Sequence, residues 1–262
     1  MAPLKFCANI SWLFAELPEL TQRMRDAARA GFRAVEAAWI YSSDLKELKT
    51  VKDETGLEFA LINTPPGKTA SDLLAIMILQ FSFFLLKNCD INSKLIHLMA
   101  GRVPAGADRC AVAMEMEDTF VQNLKHAAGV LSKEGILGLI EPINTRITDP
   151  RYFLDSPHQA AVILQRVAHP SIRMQMDIYH WQIMDGNLTQ NIRKYLPMTG
   201  HIQIAQVPDR HEPDSDGELS YTYLFKLLEE LDYQDYIGCE YKPQRSTEAG
   251  LDWLRRYWSS HN

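Results

Sequence analysis

The feature that most constrains this chain is an alternation. Short apolar runs are separated by longer stretches whose apolar residues recur at intervals of three and four. Such a pattern is that of repeated βα units on a parallel sheet. The candidate strands are Leu4–Asn9, Ala34–Ala38, Glu58–Ile62, Lys94–Met99, Ile136–Glu141, Ile172–Asp177, His201–Val207 and Tyr236–Tyr241. Each is short and almost wholly apolar, as a strand covered on both faces must be. Helical periodicity marks Leu17–Ala30, Ala111–Lys133, Pro157–Val167 and Tyr221–Leu231. Eight units in 262 residues match the roughly 250 residues of a (β/α)8 barrel. No Pro- or Ser-rich linker interrupts them, so residues 1–262 are expected to form a single α/β barrel domain.

The third unit does not obey the pattern. Leu73–Leu86 reads LLAIMILQFSFFLL, with Gln80 and Ser82 as its only polar residues. It lacks the polar face of an outer barrel helix, and it is shorter than the roughly 17–25 residues that cross a bilayer. An irregular third βα unit is therefore expected, and no membrane role.

Composition excludes other classes. A net charge of −6 and no basic block disfavour a nucleic-acid partner. The four cysteines, Cys7, Cys89, Cys110 and Cys239, form no CxxC pair, so neither a structural zinc nor a disulfide framework is indicated. Asn9 and Ser11 interrupt the N-terminal segment where a secretory signal needs an unbroken apolar stretch. A cytoplasmic protein is the expectation, with its oligomeric state left open.

Four late strands carry one conspicuous polar residue each: Glu141 in LGLIEPIN, Asp177 in IRMQMDIYH, Gln203 in HIQIAQ and Glu240 in YIGCEYKP. They are spaced by about one βα unit, which brings them together at the C-terminal mouth of a barrel, where active sites of this fold lie. Three carboxylates and an amide oxygen form a hard donor set suited to Mg²⁺ or Mn²⁺. The competing reading is that they are strand-end residues that cap helices or pair with Arg146 and Arg210.

The strings LINTPPG, HLMAGRVP, LIEPINTRITDP, MDIYHWQIMDGNL, HIQIAQVPDRHEP and GCEYKP resemble the hydroxypyruvate isomerase family of xylose-isomerase-like TIM barrels, over residues 4–67 and 94–258. The resemblance implies that Glu141 and Glu240 are the catalytic acid/base pair. It implies a divalent metal, Mg²⁺ or Mn²⁺, held by Glu141, Asp177, Gln203 and Glu240, with Gln206 an open alternative to Gln203. It also implies substrate contacts from His180, in the D-x-x-H of DIYH, and from Arg210, for which Arg146 and Arg102 compete. The small-molecule substrate implied is hydroxypyruvate, converted to 2-hydroxy-3-oxopropanoate through an enediolate. Residues 68–93 depart from the family pattern. Two alternatives stand beside this reading: a ketose epimerase or sugar isomerase of the same fold, and a catalytically impaired chain with an altered third crossover. An endonuclease on this barrel calls for a histidine-rich multi-zinc site and a basic face, which the sequence does not offer.

Overall fold

The computed structural model describes residues 3–64 and 91–261. Eight parallel strands close into one barrel in sequence order: β1 (Lys5–Asn9), β2 (Ala34–Ala37), β3 (Glu58–Asn63), β4 (Leu95–His97), β5 (Leu137–Ile140), β6 (Ile172–Asp177), β7 (Thr199–Ile204) and β8 (Tyr236–Cys239). Closure is made by β1 on β8, with Lys5 opposite Tyr236 and Ala8 opposite Cys239. A closed barrel leaves no strand edge unpaired. The expected strands fall within a residue or two of the observed ones, save that β7 begins at Thr199 and ends at Ile204. The apolar run Leu73–Leu86, and with it most of the irregular third unit, lies outside the described residues. Among those described, no helix is long and apolar enough to cross a membrane.

The helices are α1 (Leu20–Arg29), α2 (Leu45–Thr55), α3 (Arg109–Leu131), α4 (Pro157–Val167), α5 (Ile178–Met184), α6 (Leu188–Tyr195), α7 (Tyr221–Glu230) and α8 (Asp252–Ser260). Their ends are chemically marked. Asp44 accepts hydrogen bonds from the Lys46 and Glu47 amides at the start of α2, which stops at Gly56 with φ +68°. Ser156 caps α4, and Pro157 sits at its first position. Four helices escaped the periodicity reading. α2 is rich in lysine and glutamate with only Leu48 and Val51 buried. α5 is buried over its whole first turn and shows no polar face, while α6 and α8 are short.

The barrel closes around an aromatic knot. Phe6 on β1 meets Phe225 of α7 and Trp253 and Tyr257 of α8 edge-on, with centroids 5.2–5.4 Å apart. Tyr257 also accepts the Leu4 amide through its hydroxyl at 2.8 Å. α8 thus covers the seam between first and last strands.

Beyond β7, Tyr221 ties α7 to the strand end. Its buried hydroxyl donates to the Ala205 carbonyl at 2.7 Å and accepts from the Ala205 amide at 3.0 Å. Tyr221→Phe strands both backbone groups in the interior and should destabilise the protein by about 1–3 kcal/mol, measurable as a lower urea midpoint.

Candidate functional site

The strand ends deliver the polar residues to one mouth of the barrel. Glu141 follows the last residue of β5, Glu240 follows the last residue of β8, Asp177 ends β6 and Gln203 lies in β7 opposite Asp177. Asp177 has two tasks. Its Oδ1 accepts the Tyr179 amide at 2.8 Å and so caps α5, which turns Oδ2 into the mouth. There it meets Arg210 Nη2 at 3.2 Å and His180 Nε2 at 3.4 Å. The same guanidinium nitrogen reaches Glu240 Oε2 at 2.5 Å, and Nε reaches the Glu240 carbonyl at 3.3 Å.

His180 stands in the first turn of α5, 3.8 Å from Glu141 Oε1. Its Nδ1 lies 2.8 Å from the amide nitrogen of Asn144. The amide orientation is fixed, because Asn144 Oδ1 accepts the backbone amides of Ile147 and Thr148. Nδ1 therefore accepts, and Nε2 carries the proton and faces the carboxylates. Burial pushes the imidazole down to about 3 against the pull of Asp177, so it is neutral. Glu141, Asp177 and His180 place one donor atom each within 4.8 Å of one another. A protonated Nε2 suits His180 to donating a hydrogen bond rather than to holding a cation. His97, on β4, sets Nδ1 3.4 Å from Glu141 Oε2, and burial drives it too down to about 3.

Glu141 therefore faces two neutral imidazoles. Burial first, then the charges of Glu240 and Asp177, raise its proton affinity well above that of an ordinary glutamate. Burial pushes Glu240 up to about 8, with Arg210 pulling the other way and Asp177 and Glu36 adding to the rise. Burial alone would weaken the Arg210 cation, but Glu240, Asp177 and Glu141 hold its proton more firmly than in free arginine.

Arg210 is held by its loop. Its backbone is left-handed at φ +59°, its amide donates to the Gln206 carbonyl at 2.9 Å, and its carbonyl accepts the Lys242 amide at 2.7 Å. Its guanidinium lies over the Trp12 ring at 4.7 Å and the Tyr179 ring at 4.8 Å. Arg102 instead pairs with Asp149 at the surface, and Arg146 is exposed. Gln206 is also accounted for. Its Oε1 accepts the Val207 and Leu219 amides, and its Nε2 donates to the carbonyls of Pro213, Ser215 and Leu219. That amide is consumed in holding the loop between β7 and α7, whereas Gln203 stands beside Asp177.

Sequence reasoning missed Glu36, His201, Gln175 and Asn144, all buried among the site residues or directly beneath them. His201 and Gln175 occupy strands already read as apolar, and a sharper signal was available in their alternation with Gln203 and Asp177 at a spacing of two. Asn9 bridges Glu36 and Glu240 with its amide nitrogen at 2.8 and 3.1 Å.

A family model described as xylose isomerase-like TIM barrel matches residues 24–257. The chain is 72% identical to a Danio rerio protein named "Putative hydroxypyruvate isomerase", over all of this chain and 98% of that one. It is 39% identical to the hydroxypyruvate isomerase of Escherichia coli, covering 97% and 99% of the two chains. It is also 39% identical to the 2-oxo-tetronate isomerase of Cupriavidus necator, covering 97% and 98%. A solved Brucella melitensis structure titled as an AP endonuclease of family 2 superposes with a TM-score of 0.88 at 38% identity, covering 97% and 98%.

The electrostatics give a direct expectation. The folded Glu240 binds its proton up to about pH 8, whereas an unfolded glutamate releases it near 4.5. Its contribution to stability is complete below 4.5 and is lost as the pH rises through 8. The stability of the metal-free chain, relative to that of Glu240→Gln, should therefore fall between pH 4.5 and 8. Urea midpoints across that range check it, and a difference that stays flat contradicts it.

Proposed function

The chain belongs to the xylose isomerase-like TIM-barrel family, within the hydroxypyruvate isomerase group, and from that premise we propose that it interconverts hydroxypyruvate and 2-hydroxy-3-oxopropanoate. The observation that carries the proposal is the pair of glutamates at the ends of β5 and β8, buried Glu141 and half-buried Glu240, both with raised proton affinity and with Asp177 and a proton-bearing His180 nitrogen at the same mouth.

The donor chemistry fits a divalent cation. Three carboxylates with one guanidinium among them are under-compensated, as the raised affinities of Glu141 and Glu240 record. The oxygen-rich set favours Mg²⁺ or Mn²⁺. Glu141, Asp177, Glu240 and the Gln203 amide oxygen would hold it, and when bound it supplies Lewis-acid polarisation of the substrate carbonyl.

The rest of the chemistry belongs to the chain. Hydroxypyruvate, HOCH₂–CO–COO⁻, loses a C3 proton to one glutamate and forms an enediolate. The other glutamate gives a proton to C2, and the hydroxyl proton passes from the C3 oxygen to the C2 oxygen. The product is OHC–CH(OH)–COO⁻, with no net change in atoms or electrons. His180 donates its Nε2 proton in a hydrogen bond to the oxygen on which charge develops. Arg210, as the cation at the mouth, recognises the substrate carboxylate.

Purified protein incubated with hydroxypyruvate, 2-oxo-tetronate or ketoses, each with Mn²⁺ or Mg²⁺, should turn over hydroxypyruvate most efficiently. Turnover of the other substrates alone would overturn the assignment. Glu141→Gln and Glu240→Gln should each lower kcat by about 10²–10⁴-fold, the usual weight of a proton-transfer group. Arg210→Met should act mainly on KM, and steady-state kinetics separate the two effects.

A further inference from the structure

Beneath the mouth, the barrel interior holds a polar cluster that the proton transfers do not use. At its centre is Glu36 on β2, 1% exposed. Its carboxylate meets His201 Nε2 at 2.6 Å, Gln203 Nε2 at 2.7 Å, Asn9 Nδ2 at 2.8 Å and the Cys7 thiol at 3.6 Å. β1, β2 and β7 thus converge on one side chain. Two features of the backbone make room for it. The β2–β3 register shifts between Val35 and Glu36, the kind of irregularity that re-aims a side chain. On β8, a Cβ at Gly238 would lie 2.4 Å from both carboxylate oxygens, so only glycine leaves the space.

Both amides give the Glu36 oxygens their nitrogen, which settles that the oxygen of each amide faces elsewhere. Asn9 presents its nitrogen, and its Oδ1 accepts the Ser11 amide at 3.1 Å, which locks the amide from the other side. The same nitrogen reaches Glu240 Oε1 at 3.1 Å. Gln203 likewise presents its nitrogen to Glu36. Its Oε1 then turns away and accepts from Gln175 Nε2 at 2.6 Å, with one lone pair still free.

We propose that Glu36 is a positioning residue for the isomerase site: from the barrel interior it sets, through the Asn9 amide, where the Glu240 carboxylate stands, and, through the Gln203 amide, which way the Gln203 oxygen faces. The proposal rests on the reading of Glu240 as a proton carrier and of Gln203 as a metal ligand. A purely structural Glu36 would hold the strands together and leave kcat alone once the protein is folded. A positioning Glu36 governs turnover in a protein that is folded and still binds substrate.

The test is Glu36→Gln in the full chain, because glutamine keeps the shape but offers its neighbours one acceptor oxygen and one nitrogen. Outer-sphere partners of this kind are worth roughly 10- to 100-fold in activity or metal affinity. A kcat lowered by that factor with KM little changed, in a protein that melts cooperatively, supports the proposal. So does a Glu36→Gln/Asn9→Ala double variant whose loss is clearly smaller than the product of the two single losses. Unchanged kcat in folded Glu36→Gln overturns the proposal, and losses that multiply fully overturn the route through Asn9. Should Glu36→Gln not fold, Glu36→Asp keeps a carboxylate on β2 while withdrawing its oxygens from the amides, and unchanged kcat there overturns the proposal equally. Mn²⁺ affinity by calorimetry is read without turnover. If the unmutated chain turns over none of the substrates, the functional assignment has failed, yet weakened Mn²⁺ binding by Glu36→Gln still supports the positioning role and unchanged binding sinks it.

Discussion

Three buried carboxylates and a fourth, half-buried one in a single barrel constrain this structure more than any other feature. Moving a carboxylate out of water costs several kcal/mol unless donors or cations replace the solvent. The chain meets that cost unevenly. Glu36 receives four donors, counting the Cys7 thiol. Asp177 receives a backbone amide and Arg210. Glu240 receives Asn9 and Arg210, while Glu141 faces imidazoles that burial keeps uncharged. The carboxylate with the fullest set of donors, Glu36, is the one that orients its neighbours. Carboxylates left partly unanswered retain an appetite for a proton or a cation, and such groups concentrate where chemistry is done.

One guanidinium answers two of these charges, and much local structure exists to hold it. A non-glycine residue in the left-handed region carries a cost of order 1 kcal/mol or more, so Arg210 keeps φ +59° only because its surroundings over-determine it. Gln206 ties down the loop through five backbone contacts. Gly217 lets the chain pass where a Cβ would lie 2.3 Å from the Val207 carbonyl. Trp12 and Tyr179 then cover the guanidinium.

The strands were legible because each is an apolar run too short for a helix, and Glu141, Asp177, Gln203 and Glu240 were legible because each breaks such a run. Glu36 gave no comparable signal. In AVEAAW it reads as one charged residue in a stretch that suits a helix as well as a strand, and its partner His201 lies far along the chain. Gln203 and Gln206 could not be separated by residue type, since only the loop hydrogen bonds show that one amide is consumed. The apolar run Leu73–Leu86 broke the helical pattern, and it lies outside the described residues.

Strand-borne and loop-borne groups contribute differently to a site of this kind. Glu141, Asp177 and Glu240 sit at the ends of hydrogen-bonded strands, so their positions are inherited from the barrel itself, and Asp177 is held further by the helix it caps. Weakening that cap would disturb the α5 helix and the carboxylate at once, so fold stability and site geometry share one interaction there. Arg210 rides on a loop and reaches its partners through a long side chain that lies against Trp12 and Tyr179. Its two contacts at the mouth are made by a single terminal nitrogen, so one guanidinium spans both carboxylates. Strand-borne carboxylates with a loop-borne cation divide the site into groups whose positions come from the barrel and a counter-charge whose position comes from the segment after β7.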